Sequence, residues 1–108
     1  GKPKNVVLQN RSFLMAVQQE KIFLKYLNVG DSVLAIMPNF HGFGLSVCMH
    51  STMTLGLTSI LVPQFDASKF DILFNKHKPT VVIGVPTLFE ALMKNNNIKD
   101  FQFFVLQN

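Results

Sequence analysis

The chain has 108 residues, of which 48% are hydrophobic, 11% aromatic and only 15% charged. That balance excludes a disordered chain, which needs low hydrophobicity and high net charge, and the length leaves room for one domain or a piece of one. The formal net charge of +4 comes from dispersed residues, with no Lys/Arg run and no Arg/aromatic interleaving, so nucleic acid is not an expected partner.

Eleven Phe with so few charges imply that some apolar surface meets more protein, which points to a fragment of a larger domain. The one cysteine, Cys48, excludes an internal disulfide and a Cys-rich zinc site. It reads as a small buried filler, compatible with a reducing compartment. Gly1-Lys2-Pro3-Lys4 does not open a secretory leader, and a cytoplasmic location is the expectation. No Asp, Glu, Lys or Arg lies between Asp31 and Asp66. Pro38, Gly42, Gly44, His50 and Gly56 break that stretch into shorter pieces, so it reads as buried structure rather than a membrane span. Peripheral membrane contact stays open.

Asn5-Val6-Val7-Leu8 reads as a strand. Ser12 then suits the N-cap of a helix to about Leu27, with Phe13, Ala16, Val17, Leu24 and Leu27 on one face. Gly30-Asp31 makes the next turn. Residues 32–37 are nearly all apolar, as in a strand covered on both faces, and Pro38 stops them. A helix from about Phe43 to Leu55 is apolar on most sides and therefore expected to be buried. His50 within it reads as a hydrogen-bonded core residue, and Gly56 suits its C-terminal turn. Residues 58–62 form the next strand.

Asp66 reads as the N-cap of a helix to about Lys76, with Phe65 and Phe70 spaced as a hydrophobic staple. His77 and its lysine neighbours complement that helix's dipole. Residues 80–84 form another strand. Thr87 and Glu90 have capping-box spacing for a fourth helix, and residues 101–106 read as a last strand. Five strands alternating with four helices predict an α/β unit with a mostly parallel sheet and right-handed crossovers. Residues 1–108 form one unit with no internal boundary.

In such sheets, ligands bind beyond the carboxyl ends of the strands. Three loops leave strands there. Residues 37–42 and 84–87 mix Gly, Pro, aromatic and polar residues as a pocket rim does, whereas residues 62–65 look like a plain lead into a helix.

At these loops the residues carry a resemblance. Gly1-Lys2-Pro3-Lys4 resembles the tail of the Gly/Ser/Thr-rich phosphate loop of adenylate-forming (AMP-binding) enzymes. Pro38-Asn39-Phe40-His41-Gly42-Phe43-Gly44-Leu45 resembles the Pro-x-x-His segment of their acyl-CoA synthetase branch. Gly84-Val85-Pro86-Thr87-Leu88-Phe89 resembles their Val-Pro-Thr-Leu segment. Order and spacing agree along the whole chain.

The resemblance implies a fragment of the large N-terminal adenylation domain of an AMP-forming, fatty-acid–CoA ligase type enzyme. In that chemistry a carboxylate attacks the α-phosphate of Mg2+-ATP, and coenzyme A then displaces AMP to give a thioester. It further implies that Gly1 and Lys4 face phosphate, and that His41 is the catalytic residue near the carboxylate. His41, Gly42, Phe43, Gly44, Gly84, Val85, Pro86 and Thr87 would line the acyl pocket. Asn5 stands where the family has glycine. No metal site is expected within the chain, which has no His or Cys pair at ligand spacing. ATP, Mg2+ and coenzyme A belong to the parent enzyme, whose carboxylic acid substrate and remaining adenylation domain are the expected partners. The isolated fragment is expected to be inactive. Alternatives are an enzyme that loads a carrier protein, a luciferase-like or aryl-CoA ligase, and a non-catalytic binding or structural module.

Overall fold

The computed structural model describes residues 1–95. The expected last strand at 101–106 lies outside them. The described elements are helix α1 (Asn10–Phe23), strand β1 (Ser32–Ala35), a π-helical segment (Gly44–His50) continuing into α2 (Ser51–Thr54), and strand β2 (Thr58–Leu61). A 3₁₀ turn (Ala67–Lys69) leads into α3 (Phe70–His77), followed by β3 (Val81–Val82) and α4 (Pro86–Met93).

The three strands form a parallel sheet in the order β2-β1-β3. The α/β class and the parallel pairing agree with the expectation, with three strands rather than five among the described residues. β1 is central, so it is covered on both faces and its residues Val33, Leu34 and Ala35 are buried, which explains its unbroken apolar run. Leu34 points to the face where Phe70, Phe89 and Leu92 pack around it. Val33 points the other way, level with Ser59 of β2. The Ser59 hydroxyl donates to the Cys48 carbonyl, which sets the π-helical segment on that second face.

The expected strand at residues 5–8 does not form. The segment is coil, with Val6 75%, Val7 92% and Leu8 58% exposed. β-Propensity reports fit to a pleated, half-buried surface, and among the described residues no neighbouring strand offers these residues a ladder. The first helix also starts earlier than expected. Gln9 is its cap, and the Gln9 N–H donates to the Ser12 hydroxyl, so Ser12 stands three residues into the helix instead of at its boundary. The helix ends at Phe23, about one turn short of Leu27. The residues withdrawn from solvent are as expected: Phe13, Ala16 and Val17 on the helix and Leu24 and Leu27 just after it, together with Glu20.

Gly56 takes φ +71°. The Leu57 N–H donates to the Thr52 carbonyl and the Gly56 N–H to Met53, the paired bonds that close a helix through a left-handed residue. The helix it closes is less buried than expected, since Leu45 and Met53 are exposed. Only a sheet and α1 pack against it, so its outer side has no protein neighbour among the described residues.

Asp66 caps the 3₁₀ turn by accepting from the Ser68 N–H and hydroxyl. The Phe65 and Phe70 rings meet edge-on at 6.3 Å between centroids, which is the anticipated staple. The Ser68 hydroxyl, then the Ser68 N–H, hold the Asp66 carboxyl below its ordinary range. A carboxylate depressed in the folded state contributes stability above its unfolded pKa, and that contribution is lost as pH falls through the folded value. Fraying of residues 66–77 ahead of the sheet is therefore expected as pH falls below the usual carboxylate range, and an Asp66→Asn variant should lose that pH dependence. Amide exchange along an acid titration measures both.

The expected Thr87–Glu90 capping box is not formed. Val85 is the cap, Pro86 is the first helical residue, and Thr87 lies inside α4. Proline suits that first position because its missing N–H would have had no helical partner. Thr87→Ala is accordingly expected to leave stability within about 0.5 kcal/mol, where loss of a true cap costs about 1 kcal/mol. Urea unfolding distinguishes the two.

Candidate active site at the carboxyl edge of the sheet

Because all three strands are parallel, their exits lie along one edge. The loop after β1 holds residues 36–41, and the loop after β3 holds Ile83, Gly84 and Val85. β1 and β3 are hydrogen-bonded neighbours, with Leu34 opposite Val82. Two of the three segments that carry the resemblance therefore leave adjacent strands on the same side.

The β1 exit is shaped by its own backbone. The His41 N–H donates to the Pro38 carbonyl at 3.1 Å, closing a turn through Asn39 and Phe40, and the His41 carbonyl accepts from Leu45 at 2.9 Å. His41 thus sits where the turn becomes a helix. Its side chain is oriented locally: the Phe43 N–H donates to His41 Nδ1 at 3.2 Å. With Nδ1 accepting, the proton of the neutral ring is on Nε2. His41 and Gly42 are exposed, so Nε2 is presented outward as a donor at the sheet edge.

Gly44, expected among the pocket residues, is placed where the backbone closes tightly. It is buried, and a Cβ there would stand 2.1 Å from the Pro38 carbonyl oxygen and 2.9 Å from that of Met37. Its lack of a side chain lets the helix start press against the backbone leaving β1. Phe43 is half-buried and Thr87, Pro86 and Val85 are exposed. At Gly84 the nearest atom to a Cβ would be the end of the Leu88 side chain, at 2.2 Å. Gly1 and Lys4 lie in the exposed N-terminal segment before α1, and no hydrogen bond or ion pair joins them to another described residue.

Sequence reasoning missed two features. A cleft of about 490 Å³ opens between the β1 and β2 exits, lined by Ile36, Met37, Asn39, Phe40, Val62 and Phe65 among others. The loop after β2 therefore forms a wall and is more than a lead into a helix. The second feature is Glu20, whose carboxylate accepts from the Ser46 hydroxyl at 3.1 Å and from the Ser51 hydroxyl. Its signal was its place on the inward stripe of α1, where a carboxylate needs partners.

His50 departs from the expected hydrogen-bonded core histidine. Its ring packs on Phe13 at 5.3 Å, and its buried Nδ1 has no hydrogen-bond partner. An apolar groove of about 330 Å³ between α1 and the π-helical segment, bounded by Phe13, Leu14, Leu45, Met49 and Met53, runs beside it. Cys48 is fully buried, as expected, and burial pushes its thiol pKa up, which keeps it unreactive. Among the described residues no three His, Cys, Asp or Glu side chains gather as a metal site, and no helix is long and apolar enough to cross a membrane.

The chain is 31% identical over 102 residues to a long-chain-fatty-acid–CoA ligase of Bacillus subtilis (strain 168), covering 94% of this chain and 18% of that protein. It is 30% identical over 104 residues to 4-coumarate–CoA ligase 3 of Arabidopsis thaliana, with coverage of 94% and 18%. It is 29% identical over 103 residues to luciferin 4-monooxygenase of Nipponoluciola cruciata, with coverage of 94% and 19%. The chain spans less than a fifth of the length of these curated relatives. The AMP-binding enzyme family matches it over residues 1–106, and with nearly the whole chain inside that match, the protein belongs to the AMP-binding enzyme family.

Proposed function

We propose that this chain forms the carboxylate-facing part of an adenylate-forming acid–CoA ligase of the fatty-acid type. The observation that carries the reading is His41 at the exit of the central strand, with Nδ1 engaged by the Phe43 N–H and Nε2 left as an outward donor. Acid and triphosphate are both anionic, so a fixed donor at the acid lowers the cost of their approach and aligns one carboxylate oxygen for attack on phosphorus. Attack forms the acyl–phosphate bond and releases pyrophosphate, and a thiol, that of coenzyme A, then takes the acyl group and releases AMP.

His41 would hold the acid head-group. Phe43, Gly84, Val85, Pro86 and Thr87 would wall the acyl side, with Gly42 leaving room for close approach. Gly1 and Lys4 would meet phosphate once the intact domain brings their segment to the strand exits. ATP and coenzyme A are substrates of the whole protein. We assign no Mg2+ ligand to this chain. The remainder of the adenylation domain would complete the site, and the isolated chain would be inactive.

The 4-coumarate–CoA ligase relatives favour a second reading, an aromatic acid in place of an alkanoic one. The test is ATP–pyrophosphate exchange by the full-length protein with a panel of alkanoic and hydroxycinnamic acids, followed by thioester formation with coenzyme A. Exchange driven by long alkanoic acids supports the first reading, and exchange driven by aromatic acids alone supports the second. No acid-dependent exchange would overturn both.

A further inference from the structure

We propose that Glu20 is a positioning residue that fixes the wide helical turn on which His41 is mounted; its functional consequence rests on the reading of His41 above. Ser46 and Ser51 are five residues apart and joined by the bond that defines the π turn, the Ser51 N–H donating to the Ser46 carbonyl. Both hydroxyls donate to one carboxylate, that of Glu20 on α1. In an α-helix, residues five apart point about 140° away from each other around the axis. With about 4.4 residues per turn, the i→i+5 helix brings them within about 50°, one above the other. A single carboxylate can bridge both hydroxyls only in the wide form, so the bridge discriminates between the two helical registers.

The wide form needs such help, because π turns occur mostly as isolated bulges within α-helices and seven residues of one are uncommon. Downstream, α2 is anchored by its closure at Gly56, by Thr52 bonding back to the Cys48 and Met49 carbonyls, and by the Ser59 bond to Cys48. Upstream, the helix begins at Gly42, directly after His41, and its first bond is to the His41 carbonyl. A change from π to α register with α2 held would rotate this upstream end, carrying Phe43 and the His41 ring it orients. Glu20 touches neither substrate nor His41 and acts through Ser46 and Ser51.

The full-length protein tests this with Glu20→Ala, Glu20→Gln, the Ser46→Ala/Ser51→Ala double variant, and the triple variant of Glu20→Ala with both serine changes. Two readouts are used: amide hydrogen exchange over residues 42–54, and single-turnover adenylation. Glu20→Ala and the double variant are each expected to speed exchange selectively in that stretch. Each should also slow adenylation by roughly 10–100-fold with KM for ATP unchanged, the scale of a misplaced group. The triple variant should be no worse than either, since all three residues form one device. Glu20→Gln, whose amide can accept from one hydroxyl and donate to the other, should recover most of both readouts. Should Glu20→Ala fail to fold, Ser46→Ala removes one of the two bonds and carries the same comparison. Unchanged exchange at 42–54, acceleration spread evenly over the sheet and α3, or additive effects in the triple variant would overturn the proposal. The exchange readout needs no turnover, so it stands apart from the outcome for the acid–CoA ligase reading.

Discussion

Gly44→Ala in the full-length protein is expected to lower stability by about 3 kcal/mol, the upper part of the range for overpacking a closed site. The added methyl would lie 2.1 Å from the Pro38 carbonyl oxygen and 2.7 Å from its carbon. Both are backbone atoms at the exit of the central strand, so neither can move aside by a rotamer change. Relief requires the helix start to lift away from β1. That would break the turn holding His41, whose N–H bonds to the same Pro38 carbonyl, so activity should fall with stability. Gly84→Ala is the matched comparison for stability. There the obstructing atom is the end of the Leu88 side chain, which can rotate, and the cost should stay below about 1 kcal/mol. Urea unfolding of the two variants measures the difference, and equal costs would show that the close approach at Gly44 is not tight.

His41→Ala is expected to slow adenylation by roughly 10²-fold, the effect of removing one fixed donor from a developing anionic centre. Stability should change by no more than about 0.5 kcal/mol, because the side chain is exposed and its one recorded bond is to the neighbouring backbone at Phe43. The tautomer argument makes a finer distinction. Glutamine places an amide N–H about where Nε2 stands, while asparagine places one nearer Nδ1. His41→Gln should therefore retain more single-turnover adenylation than His41→Asn. The opposite order would mean that Nδ1 is the working atom and that the Phe43 bond is broken on binding substrate.

Both predictions depend on the loop after β1, and that loop shows how differently its features could be read from the chain. His41 stood out in the sequence mainly because residues 38–45 resemble the family's Pro-x-x-His segment, and secondarily because it follows an apolar strand with Gly42 beside it. Gly44 was visible only as one more pocket glycine, since the carbonyl it packs against is reached through folding back of the helix onto β1. Asp66 and the Phe65–Phe70 pair were legible for the opposite reason: cap and staple are contacts between residues two to five apart. The Thr87–Glu90 spacing was equally local and misled, because Pro86 could start the helix first and the neighbouring Val85 took the cap.

The sequence by itself determined the alternation of strands and helices, the inward stripe of α1, the parallel class of the sheet and the order of the three family segments. Each of these is written in short-range periodicity, in caps or in spacing along the chain. Only the tertiary structure decided that β1 lies between β2 and β3. It also decided that residues 5–8 find no ladder partner among the described residues, that the second helix widens into a π turn, and that Glu20 reaches Ser46 and Ser51 across 26 and 31 residues of chain. Local pattern sets what a segment prefers. Pairing, register and the partners of buried polar groups depend on what other segments bring to it, and those distances are fixed only when the chain has closed on itself.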